Sequence, residues 1–270
     1  MAQTIIRDPN GKKETVETVK TAASAAGNKA QNVIEAKPVK GSALGYRIGA
    51  AVLWLLAIAC EVLAIMALLK DFAFRFTHNG NTNMVITLII FIVLDLILCI
   101  IAAQLWKRAN HIDPPSEKNK FLFYLVSELG VIMACICFIP LIIVLLKNNK
   151  LDKKSKIIVT VVAIAALLIT GFASADYNPI SAEEKESAEQ QIIGNVYWTP
   201  FGHKYHLDLD CGAIINSGTV YEGSVTESIE SGRTSICSFC ANKHPEYDYT
   251  QLNVEQILEQ IDDTGVNDGK

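Results

Sequence analysis

Two thiols two residues apart, in Cys237-Ser-Phe-Cys240, can reach one metal ion from a tight knuckle of backbone. Upstream, His206 and Cys211 form a second pair spaced His-x4-Cys, and 25 residues separate the pairs. One imidazole and three thiolates suit zinc above the other common ions, because thiolate selects soft and borderline metals and zinc accepts tetrahedral N/S sets. Four protein ligands leave no position for water or substrate, so the Zn2+ expected here is structural and no catalytic residue is assigned. His244 follows Cys240 by four residues and is a candidate to replace His206. Asp208 and Asp210, between the two pairs, read as solvated loop residues rather than catalytic acids.

A second constellation lies in apolar surroundings. Glu61, Asp95 and Glu128 each sit inside a long apolar run, and no Lys or Arg lies within those runs. A charged acid at the centre of a bilayer costs roughly 3 kcal/mol on insertion scales, so each acid calls for a reason. Counted from the ends that share one face, the three reach depths at which they meet in one polar cluster. Such a cluster is either a proton or cation site, or a set of neutral acids that hydrogen-bond neighbouring helices through Ser127, Thr87 or Thr160. Cys60, Cys99, Cys135 and Cys137 lie in the same runs and read as small packing residues.

The elements that must hold these groups are written in the hydropathy. The 270 residues are 50% hydrophobic and 19% charged, with a formal net charge of −4. The apolar residues gather into four blocks, 48–69, 84–106, 121–146 and 157–175. At ~1.5 Å per residue each can cross ~30 Å of hydrocarbon. Aromatic residues such as Tyr46, Trp106, Phe121 and Tyr177 stand at the block ends, where interfacial belts form. The fold class expected is an all-α four-helix transmembrane bundle followed by a small α+β zinc-binding domain. Gly130 and Pro140 are expected to loosen or kink the third span.

Around the bundle, residues 1–45 are polar and without sustained periodicity, which predicts a disordered or loosely helical tail. They lack the apolar core of a signal peptide, so the first span is expected to do the targeting. Residues 176–194 read as a charged connector, whose Ser181-Ala-Glu-Glu184 is a capping box. In the metal domain, 195–246, Tyr197–Thr199 and Lys204–His206 flank a Pro-Phe-Gly turn and predict a hairpin. Ser224-Val-Thr-Glu227 opens a short helix that Gly232 stops. Val254, Ile257, Leu258 and Ile261 share one stripe of an expected amphipathic helix over 247–262, with a tail at 263–270.

The run Tyr205-His206…Cys211…Tyr221-Glu-Gly-Ser224-Val-Thr-Glu-Ser-Ile-Glu-Ser-Gly232-Arg…Cys237-Ser-Phe-Cys240 resembles the small zinc-binding module of the Ada DNA-repair methyltransferase. That module is also met as a tail on membrane and secreted bacterial proteins, so the resemblance implies a bacterial source. It covers about 45 of the 270 residues. In the repair protein four cysteines hold zinc, and the first pair includes the methyl acceptor. Here His206 and Cys211 stand at the places of that pair, so the resemblance implies zinc binding, while Cys211 alone of the pair is left as a thiolate that could accept a methyl group.

The function expected is a multi-pass membrane protein that displays a structural zinc domain, as a protein-interaction or metal- or redox-responsive module. The alternative is a small proton or cation transporter or channel component, with Glu61, Asp95 and Glu128 as its ion site and the zinc domain regulatory. An enzyme is not expected. The lipid bilayer, an unidentified protein and a second copy of the chain are the partners in view. Nucleic acid is disfavoured, because residues 176–230 are acidic. Basic residues flanking the spans nearly balance across the membrane, and the basic N-terminal stretch places both termini in the cytoplasm of a cell-membrane protein.

Overall fold

The computed structural model describes residues 19–22, 31–70, 73–74, 76–77, 79–149 and 151–245. The expected 247–262 helix and 263–270 tail lie outside these residues. Two short strands come first, β1 (Val19–Ala22) and β2 (Gln31–Glu35). Five helices follow: α1 (Ala43–Lys70), α2 (Gly80–Ile112), α3 (Lys120–Ser127), α4 (Leu129–Lys147) and α5 (Lys153–Ser174). The remainder comprises α6 (Ala182–Gln191), β3 (Val196–Trp198), β4 (Lys204–Tyr205), β5 (Thr219–Gly223), α7 (Val225–Glu230), β6 (Ser235–Ile236) and α8 (Ser238–Lys243). The chain divides into two compact units, residues 41–179 and the combination of 1–40 with 180–270.

In the helical unit α1, α2, α4 and α5 are each long and apolar enough to cross a membrane. Their faces are inverted relative to a water-soluble bundle. On α1 the inward stripe is Ala50, Trp54, Ala57, Glu61, Ala64 and Leu68, at spacings of three and four, while Leu55 is 67% exposed. On α5 Ala163 and Ala166 face inward and Phe172 is 70% exposed. Small residues let apolar helices approach closely, and large side chains turned outward suit a hydrocarbon solvent. Helices α1 and α2 pack along their lengths, Arg47 bridging Asp113 at 2.7 Å at one end and Thr87 Oγ1 accepting from the Phe74 N–H at 2.9 Å at the other.

The third apolar block, expected as one span over 121–146, is broken at Glu128 into α3 and α4. The carbonyl of Val126 explains the break. In a continuous helix it would accept from residue 130; here Trp106 Nε1 takes it at 2.8 Å and Asn110 Nδ2 at 3.3 Å. Gly130 then sits where a Cβ would meet Ala103 Cβ at 3.0 Å and Ser174 Cβ at 3.2 Å, so three helices converge on a backbone with no side chain. Pro140 lies inside α4, and the next N–H, that of Leu141, donates to Glu61 Oε1 at 3.1 Å.

The other unit differs from the expectation of a disordered or loosely helical stretch over 1–45 at Val19–Ala22 and Gln31–Glu35, which form strands. β2 runs parallel to β5 with Val33 opposite Val220, and the sheet order is β1-β2-β5-β3. Val33 is buried, and Gln31 Nε2 donates to the Ile214 carbonyl at 2.6 Å. Five residues with alternating burial carry little signal by themselves, and their partner strand lies far along the chain. Residues 176–194 also differ from a simple connector. Ile180, Ala188 and Ile192 enter the same core as Val196, Trp198, Tyr205, Val220, Ile229 and Ile236. Both capping boxes form, Ser181 with Glu184 and Ser224 with Glu227. Gly232, at φ +89°, ends α7 in a conformation that side chains disfavour, with Arg233 N–H donating to the Ser228 carbonyl at 3.0 Å.

Candidate metal centre

The hairpin forms where the Pro-Phe-Gly turn predicts it. Tyr197 and His206 exchange both backbone hydrogen bonds, at 2.8 and 2.7 Å, which sets His206 just past the end of β4. Arg233 secures the turn by donating from Nη2 to the carbonyls of Thr199 at 3.1 Å and Pro200 at 2.6 Å. β4 pairs in parallel with β6, Tyr205 opposite Ile236, and the Cys237 N–H donates to the Tyr205 carbonyl at 2.8 Å. This pairing is what carries the Cys-x2-Cys knuckle to the histidine. Cys240 then lies one turn into α8, whose Ala241 N–H bonds the Cys237 carbonyl at 2.8 Å. Cys211 begins a helical turn, its carbonyl accepting from Ile214 and Ile215 at 2.9 Å.

The four side chains converge. The ligand atoms of His206, Cys211, Cys237 and Cys240 all lie within 4.8 Å of one another, and all four residues are buried. His206 Nδ1 is 3.3 Å from Cys211 Sγ, and Cys211 Sγ is 4.0 Å from Cys237 Sγ. A tetrahedron with bonds of about 2.0 Å to nitrogen and about 2.3 Å to sulfur has edges near 3.5–3.8 Å, so the group can hold an ion with little movement. Burial, with a smaller repulsion from Lys204, lowers the His206 imidazole from 6.5 to about 4, which leaves it neutral and able to ligate. Burial raises the Cys211 thiol from 9.0 to about 12 in the metal-free site, so an incoming ion must displace that proton.

No family model, curated protein or solved structure matches this chain. The functional reading therefore rests on the geometry of the site itself.

His244 is not among the four converging residues. Its Nε2 lies 3.4 Å from Asp208 Oδ2, and Lys243 Nζ is 2.5 Å from the same oxygen. Asp208 thereby clamps the loop between the first two ligands to the end of α8. Lys243, and His244 after it, hold the Asp208 carboxyl below the usual range.

The three acids of the apolar blocks do not meet. Glu61 and Asp95 lie within electrostatic reach of each other, whereas Glu128 lies beside Lys107 and Asp176. The sequence places the end of the second block at Trp106, but α2 continues to Ile112 and brings Lys107 into the packed bundle. Lys107 Nζ donates to the carbonyls of Ala173 at 2.9 Å and Ala175 at 2.7 Å, at the end of α5. His111 Nε2 stands 3.6 Å from Asp176 Oδ2. Glu128 thus belongs to a polar anchor at a helix end rather than to a mid-bundle cluster.

Sequence reasoning missed a different group. Asp95, Cys99 and Cys137, all buried, bring their ligand atoms within 4.8 Å of one another. The i, i+4 spacing of Asp95 and Cys99 was a legible signal, since it puts both on one helical face. Cys137, on α4, carried none.

Proposed function

We propose that this chain is a multi-pass membrane protein whose bundle displays a structural zinc domain, used to dock a protein partner or to respond to metal or redox state. The observation that carries the reading is the buried group of one histidine and three cysteines, His206, Cys211, Cys237 and Cys240. Thiolate-rich sets with four protein ligands select zinc, and closed sites contribute folding energy rather than open a reaction position. The resemblance to the Ada zinc module belongs to the same reading, with its zinc binding carried over. Phe201 on the hairpin turn and Phe239 inside the Cys-x2-Cys knuckle are both exposed, which supports a docking face beside the metal.

The sheet supports a topology with both ends of the bundle on one side. β2 precedes the first span, β5 lies beyond the fourth, and the two pair in one folded unit. A single folded unit occupies one side of a membrane, so the chain between crosses an even number of times. Unpaired, buried Cys211, Cys237 and Cys240 favour a reducing compartment, hence the cytoplasm.

The test is zinc content per chain of the purified protein, wild type beside Cys237→Ser, with thiol labelling of intact cells. One zinc per chain lost in the variant, and tail thiols shielded from a membrane-impermeant reagent until lysis and zinc removal, is the expected result. A wild type without zinc under metal-replete purification overturns the metal reading. Labelling of tail thiols before lysis places the domain on the opposite face.

A further inference from the structure

The helical unit contains a second group of ligand-type side chains that the zinc domain does not explain. Asp95 and Cys99 project from neighbouring turns of α2, with Cys99 Sγ 3.6 Å from Asp95 Oδ1. Cys137 comes from α4, its sulfur within 4.8 Å of the Cys99 sulfur and of an Asp95 carboxylate oxygen. Glu61, from α1, lies within electrostatic reach of Asp95. Three helices therefore converge two carboxyl groups and two thiols in the bundle interior, each residue 5% exposed or less.

Packing alone accounts poorly for this chemistry. The apolar stretches of these helices carry no Lys or Arg, so the acids are neutralised by protons or by a metal cation. A thiol is a weak hydrogen-bond donor, and Cys99 at 3.6 Å supplies Asp95 with little. The backbone of α4 is also opened at this level. Pro140 has no N–H to give the carbonyl of Ile136, the residue before Cys137, and the Leu141 N–H is directed to Glu61.

We propose that Asp95, Cys99 and Cys137 bind a thiophilic divalent cation of the zinc class inside the helical bundle. The three core ligand atoms lie within 4.8 Å of one another, so bonds of about 2.3 Å to sulfur and about 2.0–2.2 Å to oxygen need only a small inward shift. Two sulfurs in the set discriminate against magnesium and calcium, which prefer all-oxygen shells. The ligating thiols and carboxyl bind as anions, so metal binding releases their protons to solvent. The site stands apart from the His206 centre in chain, in ligand set and in folded unit.

The experiment is metal titration of the full-length protein in lipid nanodiscs, with zinc counted per chain and cobalt used as the spectroscopic probe. Wild type is compared with Asp95→Asn, which keeps the side-chain volume, with Cys99→Ala plus Cys137→Ala, and with Cys237→Ser. Two ions per chain are expected in wild type. One is lost in Asp95→Asn and in the double cysteine variant, with the three-thiolate cobalt spectrum of the tail site retained in both. In Cys237→Ser a two-thiolate spectrum remains. Retention of that tail spectrum in the bundle variants shows that the tail domain is intact, and an unchanged elution volume shows that the bundle is not aggregated. Wild type and Asp95→Asn with equal ion counts overturns the proposal, whatever the total, and makes the acids and thiols protonated packing groups. Displacement of the bundle ion by excess magnesium overturns it as well.

Discussion

Val33 of β2 lies directly opposite Val220 of β5, in a parallel pair that joins the segment before the first apolar helix to the domain after the last one. Both side chains are buried. The domain that carries the metal ligands is therefore completed by residues from the far side of the four apolar helices in the chain.

Val33→Asp should expose this dependence. An unpaired carboxylate in that position costs about 2–4 kcal/mol, and the expected outcome is faster proteolysis of the 180–245 region with weaker metal retention. Val33→Ala should show the same direction at about 1–2 kcal/mol. Urea denaturation followed by the fluorescence of Trp198, which lies in the same core, measures both, provided Trp54 and Trp106 are replaced by Phe. Unchanged stability in Val33→Asp would remove β2 from the fold of the domain.

Acid should weaken the metal-free domain through His206. Its folded-state value, about 4, lies below the ordinary 6.5, so the unfolded chain binds the proton more readily. The contribution is present above about pH 6.5 and is lost as pH falls through about 4. Cys211 acts at the other limit: its value is raised from 9.0 to about 12, so its contribution is present below 9.0 and lost as pH rises through about 12. Denaturation midpoints of the chelator-treated protein across roughly pH 4 to 9 check the acid limb, and His206→Gln should flatten it. Acid also releases the ion itself, since protons compete for every ligand.

Gly130→Ala should destabilise the helical unit. The new Cβ meets Ala103 Cβ at 3.0 Å, Ser174 Cβ at 3.2 Å and the Ser174 carbonyl at 3.3 Å, contacts that a rigid interface accommodates at about 1–3 kcal/mol. Gly171→Ala, where an added Cβ meets nothing within 4 Å, is the matched control. Thermal unfolding in detergent distinguishes the two, and equal midpoints would show that the convergence at Gly130 is loose.

Lys107→Met should release the end of α5. It deletes the hydrogen bonds to Ala173 and Ala175 and removes the cation beside Glu128 and Asp176, at a cost of about 2–3 kcal/mol. Pairing it with Glu128→Gln should recover part of the loss, because the uncompensated acid is then gone. Amide exchange at residues 170–175 reads the fraying, and protection equal to wild type in Lys107→Met would deny the anchor.

The sequence by itself determined whatever is local. An apolar run of hydrocarbon length, a Ser-x-x-Glu box and a Cys-x2-Cys knuckle are properties of neighbouring residues, and the four apolar helices, both capping boxes and the metal-ligand group match them. Tertiary structure decided what depends on helix rotation and on strand partners distant in the chain. Whether Glu128 faces Asp95 or Lys107 turns on a break at one residue, where Trp106 and Asn110 take a carbonyl from its own helix. Cys137 reaches Asp95 and Cys99 only because α4 presents that face to α2. β2 is a strand because β5 lies beside it, since a five-residue extended segment gains too few hydrogen bonds and too little buried surface to order itself alone.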